Sequence, residues 1–391
     1  MTGLLTLEAA IEAVLARCDP LPGERVTLGE AAGRVLAEPA LARVDLPPFP
    51  SSAMDGFALR SADTPGSLPV VARIAAGSPA PRPLRPGEAM GIATGGVVPD
   101  GADAVVPIER VVQTDDKLEV PQVVGQNDNI RPRGGDVREG DVVLDAGSRL
   151  GAAQIGALAA AGVAELVCAL RPRVAVLATG SELRAPGERL EPGEIYEANG
   201  AMLATALRAV GAHVEHLAPV RDDEGAHRDA LARALEADVV VSSGGVSVGP
   251  HDLVRSAASE LGVEEVFWRV AVKPGKPISF GVRDATLVFG LPGNPVSTLV
   301  GFELFVRPAL RALEGELDPG PRFRKAPLAE PVRRNDTRDE LLRARWRDGA
   351  LEALGGQESH MIVRAAAADA LVLVPRGAGE LAGEVSYLPL G

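Results

Sequence analysis

Val239-Val240-Val241-Ser242-Ser243-Gly244-Gly245-Val246-Ser247-Val248-Gly249-Pro250-His251-Asp252 reads as a short buried strand that runs into a glycine- and serine-rich loop and opens a helix at Asp252. Three consecutive valines without polar alternation suit a strand covered on both faces, as in a parallel sheet. Gly244, Gly245 and Gly249 let the backbone turn tightly and come close to a ligand. Ser242, Ser243 and Ser247 add hydroxyls, and the free amides at the start of the next helix favour an anion. The spacing is neither G-x-G-x-x-G nor a Walker A motif. The loop therefore points to an anion, most simply a phosphate, without identifying a nucleotide, and its composition also suits an ordinary βα connection.

Outward from this stretch, strands alternate with helices. Val174 to Ala178 is apolar and ends in Thr179-Gly180-Ser181-Glu182-Leu183. Asn199 caps a helix to Val210, closed by Gly211. A strand over 213–218, a helix over 224–236, a helix over 252–261 and a strand over 266–272 follow. Lys273-Pro274-Gly275-Lys276-Pro277 leads to strands over 278–280 and 287–289, then to the turn Leu291-Pro292-Gly293-Asn294-Pro295. Asn294 as N-cap and Pro295 at the first helical position start a helix to about residue 314, kinked at Pro308. This alternation predicts a three-layer α/β domain with a mostly parallel sheet over 171–320.

On the N-terminal side, Thr6 caps a helix over 7–16 that ends at Cys18-Asp19-Pro20. Pro47-Pro48-Phe49-Pro50 is a rigid connector. From 47 to 136, short apolar runs broken by prolines and glycines predict a β-rich domain. Within it Asp55-Gly56 is a turn signal, and Thr94-Gly95-Gly96 is either a functional loop or a plain turn. A helix over 152–161 with Gly162 as C-cap is expected to pack back on the N-terminal helix. Short alternating runs over 321–391 predict a small C-terminal β domain or barrel.

Composition excludes several functions. Of the 391 residues 46% are hydrophobic, so the chain folds, and only 3% are aromatic, so platforms for stacking bases are scarce. A formal net charge of −13 argues against nucleic acid and anionic membranes as partners. Cys18 and Cys168 make no metal or redox spacing and read as buried free thiols of a reducing, cytoplasmic protein. None of the five histidines makes a recognised metal motif.

In an open α/β sheet, ligands sit beyond the carboxyl ends of the strands. The four loops expected there are 179–182, 242–252, 273–276 and 291–295. They gather Thr179, Gly180, Ser243, Gly244, Gly245, Ser247, Lys273, Lys276, Pro292, Asn294 and Pro295 with the acids Glu182 and Asp252. This set suits a phosphorylated polyanion: the lysines supply point charges, and the adjoining prolines limit the entropy lost on binding. Glu182 and Asp252 could hold Mg²⁺ through oxygen, joined by Asp222 or Asp223; for each acid the alternative role is helix capping.

Taken together, Ser52-Ala53-Met54-Asp55-Gly56-Phe57-Ala58, Thr94-Gly95-Gly96, Thr179-Gly180-Ser181-Glu182-Leu183, Ile195-Tyr196-Glu197-Ala198-Asn199, the 243–249 loop, Lys273-Pro274-Gly275-Lys276-Pro277 and Leu291-Pro292-Gly293-Asn294-Pro295 resemble the MoeA family of molybdopterin molybdenumtransferases, itself similar to the E domain of gephyrin. The resemblance covers nearly the whole chain. It implies a four-part subunit in which 1–46 and 137–170 form one discontinuous helical segment, with a MogA-like α/β domain and a C-terminal β-barrel, and a homodimer whose site lies between one subunit's α/β domain and the other's β-rich domain. It implies insertion of molybdate into adenylylated molybdopterin with release of AMP and a need for Mg²⁺. The implied partners are a molybdopterin adenylyltransferase and apo-molybdoenzymes or their chaperones. By matching motif it implies roles for Asp55 and Thr94 on the β-rich side. Opposite them it implies Glu182, Asp222, Asp252, Lys273, Lys276, Ser297 and Arg343. Two departures stand out: Ser181 where an Asp is common, and Leu253 where an aromatic is common. Two rival functions fit parts of the pattern. One is a related adenylyltransferase or nucleotide hydrolase; the other is a non-catalytic scaffold like gephyrin.

Overall fold

The computed structural model describes residues 4–245 and 253–390. Ser247 and Asp252, named above, lie outside the described residues. At the centre is a six-stranded sheet in the order His213–His216, Arg173–Ala178, Val239–Ser243, Thr286–Leu291, Ser279–Arg283, Glu264–Trp268. The first three pairings are parallel and the last two antiparallel. The antiparallel edge departs from the simplest reading of the alternation. Only Asp284 and Ala285 separate the strands Ser279–Arg283 and Thr286–Leu291, and so short a link can join only antiparallel neighbours. Asp284 takes the positive φ of 52° that such a turn needs.

The valine run is buried because its residues alternate between two cores. Val174, Val176, Val239, Val241, Leu287 and Phe289 face one cluster with helices α1 (Leu7–Leu15), α3 (Asn199–Ala209), α6 (Pro295–Gly301) and α7 (Arg307–Leu313). Ala175, Leu177, Val240 and Val288 face the other, with α4 (Glu224–Ala234) and α5 (Leu253–Glu260). Full burial of each such valine is worth about 1.5–3 kcal/mol, so both cores are held by strands that water never reaches.

Helix α1 is capped as expected, with the Ala9 amide donating to Thr6 Oγ1 at 3.2 Å. It does not meet α2 (Ala152–Ala160). Its buried Leu7, Ala10 and Val14 join the α/β core, whereas Leu158 of α2 packs with Ala31, Leu36 and Cys168. Parts of the stretches 1–46 and 137–170 pair as short antiparallel strands. Gly23–Thr27 runs against Glu165–Ala169, and Ala40–Leu41 against Val142–Leu144. Cys18 lies just beyond α1, where burial pushes its thiol up to about 12.

Between these stretches, residues 56–120 build a six-stranded sheet with apolar clusters on both faces. The chain leaves and re-enters this region at one place: the Leu46 amide donates to Val137 O at 2.8 Å and the Gly134 amide to Pro47 O at 2.9 Å.

The long helix after Asn294 is interrupted rather than merely kinked. A π turn, Phe302–Val306, separates α6 from α7. Pro308 has no N–H and its ring would crowd a carbonyl one turn earlier, and widening the turn relieves both. Beyond it, Asp339–Arg347, Ala370–Val374, Glu384–Pro389 and Arg324–Pro327 form consecutive neighbours, and Ala350–Ala353 pairs with the first. The Ala329 amide donates to Leu351 O at 2.9 Å, which joins the last strand back to Ala350–Ala353 and closes the strands into a ring. The short α8 (Ile362–Ala366) precedes Ala370–Val374. Among the described residues no helix is long and apolar enough to cross a membrane.

Candidate functional site

Beyond the carboxyl ends of the parallel strands lies a pocket of about 300 Å³. Of the residues gathered above, Thr179, Glu182, Ser243, Asn294 and Pro295 line it, whereas Asp222, Lys273, Lys276 and Ser297 do not. Backbone bonds hold the loops in place: the Thr179 amide donates to Ser243 O, Gly180 to Val220 O and Gly244 to Leu291 O, each at 3.0 Å. Gly244 has φ +91°, and a Cβ there would stand 2.7 Å from Thr179 O. No other residue allows this close approach of two loops.

The acids separate by role. Asp223 caps α4, accepting from the Ala226 amide at 2.8 Å. Asp222 stands beside the 179–182 loop without lining the pocket. Its carboxylate accepts from the Ser181 amide at 3.2 Å, and its own amide donates to Ser181 Oγ at 2.9 Å. Ser181 thus does positive work as a clamp on Asp222. Glu182 is exposed, with its carboxylate packed over Gly180. Among the described residues no group of three or more histidine, cysteine or acidic side chains is placed to hold a metal. Glu182 and Asp222 alone make an incomplete ligand set for Mg²⁺, which takes an octahedron of oxygens.

Lys273 pairs with Glu340 at 2.9 Å, and Lys276 is exposed. Both sit on a loop stitched to the C-terminal ring, because Val272–Lys273 pairs with Asp339–Glu340. Pro292 O accepts from Thr298 Oγ1 at 2.7 Å, and Ser297 is buried in α6. Asn294 occupies the N-cap position of α6, but its side chain donates to Ser359 Oγ at 2.9 Å instead of capping.

Arg343 stands behind the pocket without lining it. It is 1% exposed, and it donates to Met361 O at 2.7 Å, Gly356 O at 2.6 Å and Glu358 O at 3.2 Å. In this chain it organises the 356–361 loop. That loop supplies Ser359, whose carbonyl accepts from the Val296 amide at 3.0 Å, and His360, which lines the pocket with Ile362. The sequence reading missed these residues, since Gly355-Gly356-Gln357-Glu358-Ser359-His360 has no periodicity and lies far along the chain. Arg343→Met is expected to leave three partly buried carbonyls without this donor and to cost about 1–3 kcal/mol, measurable by urea unfolding.

Asp55 and Thr94 lie together on the β-rich sheet. Asp55 Oδ1 accepts from the Thr94 amide at 2.8 Å. Thr94 and Gly95 are the central residues of a turn closed by the Gly96 amide on Ala93 O at 2.8 Å, with Gly95 at φ +77°. No residue of 47–136 lines the pocket among the described residues.

The comparisons agree with this architecture. Residues 5–162 match the model of the MoeA N-terminal region (domain I and II), 175–312 that of a probable molybdopterin binding domain, and 325–389 that of the MoeA C-terminal region (domain IV). The chain is 38% identical to the molybdopterin molybdenumtransferase 2 of Mycobacterium tuberculosis, with 96% of each chain covered. It is 33% identical to the molybdopterin molybdenumtransferase of Staphylococcus aureus, over 95% of this chain and 92% of that one. Among solved structures, the molybdopterin biosynthesis MoeA protein of Pyrococcus horikoshii superposes with a TM-score of 0.87 at 29% identity, covering 99% of this chain and 100% of that one. On sequence and structure alike, the chain belongs to the MoeA family.

Proposed function

We propose that this protein is a molybdopterin molybdenumtransferase of molybdenum cofactor biosynthesis: it inserts molybdate into adenylylated molybdopterin and releases AMP. The observation that carries this reading is the pocket at the strand ends, lined by Thr179, Ser243, Asn199 and Asn294, in a chain related over nearly its full length to such transferases. Phosphate, phosphoanhydride and molybdate all carry negative charge. Backbone amides around Gly244 and the ammonium groups of Lys273 and Lys276 would hold these anions against their mutual repulsion. Glu340, beside Lys273, keeps that lysine from being an unbalanced charge before substrate arrives.

Asp55 and Thr94 complete the site from a second copy in this reading, since their own chain's pocket contains neither. The active species is accordingly a homodimer, in which Glu182 and Asp252 would hold Mg²⁺ together with oxygens of the substrate's phosphates. The reading also places the protein in the cytoplasm, receiving substrate from an adenylyltransferase and passing product to apo-molybdoenzymes or their chaperones. Its domains follow as 1–46 with 137–170, 47–136, 171–320 and 321–391.

The decisive experiment incubates the protein with adenylylated molybdopterin, molybdate and Mg²⁺. Stoichiometric AMP release and reconstitution of an apo-molybdoenzyme are expected. AMP release without reconstitution would favour a nucleotide hydrolase, and neither outcome would leave a binding protein.

A further inference from the structure

Asn199 is the residue type that caps helices, yet here it is the first residue of α3 and Glu197 does the capping, accepting from the Gly200 amide at 2.6 Å. The asparagine side chain is thereby released to reach across the mouth of the sheet. Its Nδ2 donates to Ser243 Oγ at 2.7 Å and to Gly293 O at 2.7 Å. Ser243 ends the central valine strand, and Gly293 lies in the turn before α6. The two loops approach closely there, with a Cβ on Gly293 only 3.7 Å from Gly244 Cα. One amide group therefore spans the two glycine loops that wall the pocket.

This arrangement costs stability. Asn199 Oδ1 is buried and has no hydrogen-bond partner among the described residues. An orphaned buried acceptor forfeits about as much as a good hydrogen bond supplies, so folding alone gives little reason for an asparagine here. The amide cannot simply flip, because its oxygen would then face the carbonyl of Gly293. We propose that Asn199 is a positioning residue: it holds the 243–245 and 291–295 loops at the spacing that the phosphate-bearing part of the substrate requires. This rests on the pocket being the substrate site.

Two measurements test it, and one needs no substrate. In hydrogen exchange of the free protein, Asn199→Ala is expected to speed exchange about tenfold in peptides containing Gly244 and 291–295, and to leave the C-terminal ring unchanged. In AMP release, the same variant is expected to raise KM about tenfold with kcat within twofold of the parent. Asn199→Asp, which puts a carboxylate oxygen against Gly293 O, should be worse than alanine in both. In Ser243→Ala the bond to Gly293 remains, so its effect should be smaller, and the double variant should add nothing to Asn199→Ala. Unchanged exchange in both loops, or fully additive Asn199 and Ser243 effects, would overturn the proposal. Altered exchange in a protein whose parent form releases no AMP would uphold the positioning role and sink the transferase reading instead.

Discussion

Asp55→Asn is expected to slow AMP release about 10²–10⁴-fold, the range in which a positioned acid–base group contributes, while the melting temperature stays unchanged. The two halves of this expectation come from one bond. The Thr94 amide donates to Asp55 Oδ1, and an asparagine oxygen accepts the same bond from the same place. The side chain is otherwise exposed, so the substitution removes charge and basicity and little else. Activity that falls without a fall in stability would assign the carboxylate to the chemistry. A parallel loss of both would return Asp55 to its first reading as a turn residue. Mixing Asp55→Asn subunits with Lys276→Ala subunits sharpens the test. If each site takes Asp55 from the partner, mixed dimers regain one intact site and part of the activity; if each chain works alone, they regain none.

The second large effect is structural. Glu316→Ala should destabilise the protein by about 3 kcal/mol. The Glu316 side chain is 3% exposed, and it pairs with Arg149, with Arg322 at 2.5 Å and with Arg311 at 3.9 Å. Arg149 comes from the discontinuous N-terminal segment, where it also donates to Gly33 O at 2.6 Å, and it binds Glu314 at the end of α7. Removing Glu316 leaves three guanidinium groups facing one another around a single remaining acid. Burial already raises the pKa of Glu314, so that acid is a poor substitute. Glu316→Gln should recover part of the loss by keeping hydrogen bonds without the charge. Urea unfolding would measure both, and equal stability of all three proteins would show the network to be idle.

The parts of the fold legible in the sequence are those whose signal is local. Val239-Val240-Val241 needed only its own residues to read as a doubly covered strand, and Thr6 and Pro295 marked helix starts by residue type alone. Pairings between distant stretches left no such trace. Glu165–Ala169 meets Gly23–Thr27 across nearly the whole N-terminal half of the chain, and each strand is too short to show a period. The site divides in the same way. Thr179, Ser243 and Asn294 announced themselves through glycine, hydroxyl and proline neighbours. Asn199 misled because its residue type fits a cap; Glu197, two positions earlier, held that role. His360 and Ile362 reach the pocket on a loop that Arg343 holds from far along the chain, a fact of tertiary geometry.

Leu46 and Val137 are bonded neighbours, as are Pro47 and Gly134. Ninety residues of chain begin and end at one spot, and the host segment closes beneath them without their help. The β-rich unit is therefore a cassette. Excising it and sealing the gap with a tight turn is expected to leave a folded, shortened protein that keeps the strand-end pocket but carries no Asp55, which urea unfolding of that protein would check. Grafted between the equivalent strands of a relative, the same cassette would carry its half of the site with it.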